Sequence, residues 1–144
     1  MKKRYLIPFA SVLALSITSC DKANDPAANT ENPTPTDGKV LFEGSFEGRN
    51  DHVVTGGVQI VESGGEISVV LADNFSLDGA PAPKVGLGRD GYKKDTQSGA
   101  LKSKTGASSY TLKKGIDPEG YNEVYIWCEK FDVALGVAKL SPSE

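Results

Sequence analysis

Beyond Gly38 the apolar residues of this chain recur at every second position and never form a helical stripe ten residues long. Val58 and Ile60 flank Gln59, Ile67, Val69 and Leu71 share one parity, and Val85 and Leu87 share another. A period of two puts alternate side chains on opposite faces of a strand, whereas a helix needs apolar residues three and four apart. The runs with this pattern are KVLFEGSF, HVVTGGVQIVES, EISVVLADNFSL, KVGLG, ALKSK, SYTLKK, EVYIWC and FDVALGVAKL. Between them SGGE, DGAPAP, GRDG and DPEG read as turns. Glycine supplies 16 of 144 residues, above the usual ~7% and in keeping with so many reversals. The expected class is all-β, an antiparallel β-sandwich or partly closed barrel of about 7–10 short strands.

The N-terminus has a different character. Lys2, Lys3 and Arg4 precede an apolar stretch from Tyr5 to Ile17, then Thr18, Ser19 and Cys20. The stretch has the length of a signal-peptide core and falls short of the ~20 helical residues that span a bilayer. Ile17-Thr18-Ser19-Cys20 resembles a bacterial lipobox, in which the cysteine thiol receives diacylglycerol and becomes the new N-terminus. Residues 1–19 are therefore expected to be a lipoprotein signal peptide. Cys20 is the expected lipidation site and places the chain on the membrane of a bacterial cell envelope, with its domain outside the cytoplasm. Several acyl chains anchor stably where one does not. Asp21 retains lipoproteins at the inner membrane in some bacteria and not in others; the expected address is the outer membrane.

Residues 20–38 hold the anchor cysteine and DKANDPAANTENPTPTDG, which has no large apolar residue and three prolines. Such a segment buries too little surface to offset its ordering entropy. It reads as a tether with a coil span on the order of 23 Å. Residues 39–142 then form one domain of about 100 residues, enough for a single core. Cleavage before Cys20 lowers the basic count from 16 to 13 against 19 acidic residues, a mature balance of −6. That argues against nucleic acid as a partner and against docking on anionic lipid by charge.

Gly86, Gly88 and Gly91 match the Gly-x-Gly-x-x-Gly pattern, but no helix follows to hold a phosphate, so they read as a glycine-rich turn between strands. His52 is the single histidine. A Ser-His-Asp triad lacks the usual nucleophile elbow, and a zinc site built from three histidines or from Cys₂His₂ fails by counting. No metal site is expected. The chain points away from an independent enzyme, and no surface aromatic cluster of the kind that binds glycans is evident.

Once Cys20 is a thioether, Cys128 has no intramolecular partner, which is notable in an oxidising compartment. Val124, Ile126 and Cys128 lie on one face of EVYIWC, with Tyr125 and Trp127 on the other. Beyond Glu129 and Lys130 the apolar parity shifts to Phe131, Val133, Leu135 and Val137, which marks a tight turn or bulge. Cys128 thus stands at a strand end beside an irregularity; on the residues alone a buried structural thiol is favoured, because free cysteine behaves as a small hydrophobe, and a partly accessible thiol is expected once that position is joined to the resemblance described next.

The stretch from about Leu41 to Leu140 resembles the DM-thirteen family, described as an electron-transfer domain. Trp127-Cys128 after an apolar strand, Phe131, Gly136, Ala138 and Leu140 carry the resemblance most specifically. FEGSFEGRNDHVVTGGVQIV, APAPKVGLG and GASSYTL are similar to further family segments. Leu135 and Ser108 depart from its usual residues. The resemblance implies a β-rich extracytoplasmic domain whose single cysteine, here Cys128, is redox-active as a naked thiol or as ligand of a prosthetic group such as haem. His52 is then the one histidine available as a second ligand. The implied partner is a redox or envelope protein. The competing function is a non-catalytic binding or adhesion module with Cys128 structural.

Overall fold

Ser63 and Glu66 face each other across Gly64-Gly65, whose φ angles of 59° and 80° make a two-residue hairpin turn that suits the twist of the strands it joins. The same logic of short reversals builds the whole sheet. The structure is a computed structural model that describes residues 38–144. The expected signal peptide, Cys20 and the tether up to residue 37 lie outside the described residues.

Ten strands follow in order: β1 (Lys39–Gly48), β2 (Val54–Thr55), β3 (Gly57–Ser63), β4 (Glu66–Leu71), β5 (Ser76–Leu77), β6 (Pro83–Gly88), β7 (Gly99–Ala100), β8 (Ser108–Thr111), β9 (Glu123–Cys128) and β10 (Val133–Pro142). Single 3-10 turns lie at Lys94–Thr96 and Pro118–Gly120. Asp117 caps the second turn by accepting from the Glu119 amide. Eight strands form one antiparallel sheet in the order β7-β6-β9-β10-β1-β3-β4-β8, and β2 pairs with β5. The eight-stranded sheet curls into a nearly closed all-β barrel. Its two edge strands, β7 and β8, are joined by residues 101–107. There the Lys102 amide donates to Tyr110 Oη at 2.9 Å, and the Lys102 ammonium reaches the Ser109 carbonyl. Edge strands as short as β7 and β8 limit the open hydrogen-bonding rows on which sheets aggregate.

The alternation read from the sequence sorts the two faces. Val58, Ile60, Val69, Leu71, Val85, Leu87, Val124 and Ile126 turn inward with Phe46, Phe75 and Leu135 to make the core. Phe46 and Phe75 meet edge to face, with ring centroids 5.5 Å apart at 70°. The parity shift after Cys128 comes from the turn that follows it, and a bulge farther along β10 then reverses it. Glu129–Asp132 form a four-residue turn, with Asp132 at φ 54°. Leu135 then bulges from β10, because Ala134 pairs with Trp127 while Gly136 already pairs with Ile126. The extra residue resets the alternation. Leu135 is therefore in the core, Val137 lies opposite Tyr125 on the outer face, and Phe131, out on the turn, is 63% exposed.

Candidate functional site

Strand β9 presents two different chemistries on its two faces. Cys128 ends the inward series begun by Val124 and Ile126, opposite Pro83 of β6 and Val133 of β10. It is a free thiol, 1% exposed, within the core cluster. Its Sγ donates to the Pro81 carbonyl at 3.3 Å. The thiol is sealed, in contrast to the partly accessible group expected from its place at a strand end together with the family resemblance. The bulge falls at Leu135 on the neighbouring strand and leaves Cys128 itself in regular pairing, aimed at the core.

The segment against the thiol is DGAPAP, residues 78–83. Asp78 anchors its start: the carboxylate accepts from the Gly79 amide at 2.8 Å, the His52 Nδ1 at 3.0 Å and the Val53 amide at 3.1 Å. The Val53 amide foremost, then the His52 ring, hold the Asp78 carboxyl below the usual carboxylate range. Ala82 adopts φ 48°, a left-handed conformation that a side chain disfavours. His52 and Cys128 therefore sit at the same end of the barrel, linked through the Asp78–Pro81 segment, but His52 is committed to Asp78 and not to the thiol. Val53, 63% exposed, and Phe131 stand on the loops of this end.

These residues do not fit a haem. Cys128 points into a packed core, and His52 is engaged elsewhere on the rim. The surface hollows near Phe42 and Pro118, near Leu112, near Lys93 and Tyr121, and near Ser45 and Asn74 are lined by neither residue. No group of three His, Cys, Asp or Glu side chains placed to hold a metal occurs among the described residues.

The outer face of β9 carries an arrangement that the sequence did not disclose. Tyr92 stacks on Trp127 with centroids 4.4 Å apart and planes 12° from parallel. Tyr125 meets Trp127 edge to face at 6.3 Å and lies 5.8 Å from Tyr92. The floor beneath is glycine. A Cβ at Gly86 would stand 2.8 Å from the Tyr92 ring, and one at Gly88 would stand 2.4 Å from the Tyr125 ring. The first two glycines of the Gly-x-Gly-x-x-Gly pattern thus make room for aromatic rings, while a Cβ at Gly91 would meet nothing within 4 Å. Tyr125 and Trp127 were legible as one face of a strand. Tyr92 joins them because the turn after β6 folds back: the Arg89 amide donates to the Gly91 carbonyl at 3.2 Å and the Lys93 amide to the Leu87 carbonyl at 3.0 Å, which sets Tyr92 opposite Gly88, and no local pattern reveals this.

The three rings differ in their polar ends. Tyr125 Oη donates to Glu123 Oε2 at 2.9 Å. The Tyr92 hydroxyl is buried with no hydrogen-bond partner among the described residues. Burial, then the charge of Glu129, pushes the Tyr92 phenol up to about 12. Burial, then the Glu123 hydrogen bond, raises Tyr125 to about 12. Both phenols hold their protons more tightly folded than unfolded, where the value is about 10. Between about pH 10 and 12 the unfolded chain sheds protons that the folded chain keeps, so stability falls as pH rises through that window. Tyr92→Phe removes one such group together with an unpaired hydroxyl. It should stabilise the protein by about 1 kcal/mol at neutral pH and make the alkaline loss shallower, as read from melting temperatures across that window. A melt lowered by Tyr92→Phe at neutral pH would mean that the hydroxyl is well bonded.

Comparison with curated proteins and with solved structures returned no match. The family model described as electron transfer DM13 matches residues 45–140, which takes in Cys128, His52 and all three stacked aromatics. With two thirds of the sequence covered, including eight of the ten strands in whole and the first and last in part, this chain belongs to the electron transfer DM13 family.

Proposed function

We propose that the protein is a lipid-anchored, extracytoplasmic accessory module for redox transfer, with Cys128 as its working thiol. The family match carries the electron-transfer part of this reading. The residue assignment rests on Cys128 being the thiol left free when Cys20 is acylated, and on the short, Asp78-anchored segment whose Pro81 carbonyl meets it. A lone thiol has no intramolecular disulfide to cycle through. It exchanges with a disulfide of an envelope partner: the Cys128 thiolate attacks one sulfur, a mixed disulfide forms, and the other sulfur leaves as a thiolate. Because the thiol is buried, exchange requires residues 78–82 to swing away first. The test is the exchange of native protein with a small aromatic disulfide, followed by the released thiolate. Cys128→Ser should abolish it. Release no faster than global unfolding allows would refute a working thiol.

The second reading is a binding or adhesion module in which Cys128 is structural. Its 1% exposure within the core cluster is the observation in favour, and failure of the exchange test would make this reading the leading one.

The anchor is part of the same proposal. Cys20→Ala should abolish incorporation of radiolabelled or alkyne-tagged fatty acid and release the protein from the membrane fraction. Equal labelling without Cys20 would rule out the lipoprotein assignment.

A further inference from the structure

Tyr125 is the one tyrosine among the described residues whose hydroxyl donates to a carboxylate. Tyr110 Oη accepts from the Lys102 amide and lies 3.0 Å from the Ser108 hydroxyl, and neither of these is a base. Tyr92 has no partner for its hydroxyl among the described residues. The distinction matters because a phenol that loses an electron becomes strongly acidic, and its oxidation is practicable only where a base receives the proton. Tyr125 is also 7% exposed and cannot meet an oxidant directly, whereas Trp127 and Tyr92, in contact with it, are partly exposed.

From this we propose that Tyr125 and Glu123 form a proton-coupled oxidation site, reached from solvent through the Trp127–Tyr92 stack. It deepens the electron-transfer reading of the family and is independent of Cys128. A one-electron oxidant of high potential, of the ferryl-haem class, docks at the exposed edge of the stack and takes one electron from it. Tyr125 refills the stack with one electron and passes its phenolic proton to the Glu123 carboxylate. The products are a neutral Tyr125 phenoxyl radical, a protonated Glu123 and an oxidant reduced by one electron. A one-electron reductant reverses the sequence, with the proton returning from Glu123.

Three features of the site support this assignment. The parallel Tyr92 and Trp127 rings, 4.4 Å apart, share a positive charge by overlap. The phenol of Tyr125 is pushed up to about 12, so at neutral pH its proton remains until the electron departs. The Glu123 carboxylate is also within 3.5 Å of the Gly91 amide, which fixes the carboxylate beside the ring. The thiol of Cys128, by contrast, donates to a peptide carbonyl that cannot hold a proton, and it occupies the opposite face of β9.

The experiment is photo-oxidation of the full-length protein by flash-generated ruthenium(III) tris-bipyridine, followed by transient absorption and electron paramagnetic resonance. The wild type should give a neutral tyrosyl radical. Tyr125→Phe should lose it and leave a tryptophan radical. Glu123→Gln keeps the shape but not the base, and should slow tyrosyl formation about 10²-fold. Tyr110→Phe and Cys128→Ser should change nothing, and circular dichroism checks that each variant is folded. A tyrosyl signal that persists in Tyr125→Phe, or a rate unchanged in Glu123→Gln, would overturn the proposal and reduce the cluster to packing. Because the Cys128→Ser protein is tested for the radical and the Tyr125→Phe protein for disulfide exchange, failure of one site is distinguishable from failure of the other.

Discussion

Cys128 in the native protein should react with a maleimide about 10²-fold more slowly than in denaturant, and Asp78→Ala should recover about a tenfold of that loss. The first figure follows from burial: at 1% exposure the thiol reacts only from an opened state. Global unfolding of a domain stable by about 5–15 kcal/mol would suppress labelling by at least ~10³-fold. Opening residues 78–82 alone costs less. That segment is mostly exposed, and its Ala82 at φ 48° carries strain that opening releases. What holds it is the Asp78 carboxylate, which accepts from the Val53 and Gly79 amides and the His52 ring. Losing such charge-assisted bonds costs about 1.5–3 kcal/mol, and 1.4 kcal/mol is tenfold in the open population. Each rate is compared with the unfolding constant of the same variant, so that a general loss of stability is not mistaken for local opening. If both proteins label at their global unfolding limits, the thiol is a core residue and the binding-module reading takes over.

The largest loss of stability is expected at Gly56. Its φ of 105° lies where L side chains rarely go, and a Cβ there would stand 2.4 Å from the Phe75 Cα and 2.6 Å from its nitrogen. Both obstacles are backbone and cannot rotate aside. Gly56 also receives the Phe46 amide at its carbonyl, at 2.9 Å, so it sets the approach of the two phenylalanines that meet in the core. Gly56→Ala combines conformational strain and overpacking and should cost about 4 kcal/mol, a fall of roughly 20 °C in the melting temperature of a domain this size. Gly64→Ala is the matched control. It too has positive φ, at 59°, but nothing lies within 4 Å of the added atom, and it should cost only about 1 kcal/mol. Equal losses at the two sites would mean that crowding against Phe75 contributes nothing.

The all-β class, the hairpin at Gly64-Gly65 and the strand EVYIWC were all determined by the sequence, for one reason. Period-two alternation and turn chemistry are local properties, expressed within a few residues. The inward series Val124, Ile126, Cys128 and the outward pair Tyr125, Trp127 follow from the same alternation, as does the reset of parity near residue 131. Whether that reset left Cys128 open or closed was not local. It depended on the bulge falling across the ladder at Leu135, and on a loop 47 residues away in the chain bringing the Pro81 carbonyl to the thiol. His52 gave no sign of its partner, because Asp78 lies 26 residues on and meets it only once β2 has paired with β5. The stacking of Tyr92 on Trp127 over two glycines was decided by tertiary structure in the same way. Pairing of β6 with β9 joins segments more than 30 residues apart, and only then does the empty space above Gly86 and Gly88 become a place for rings from elsewhere in the chain.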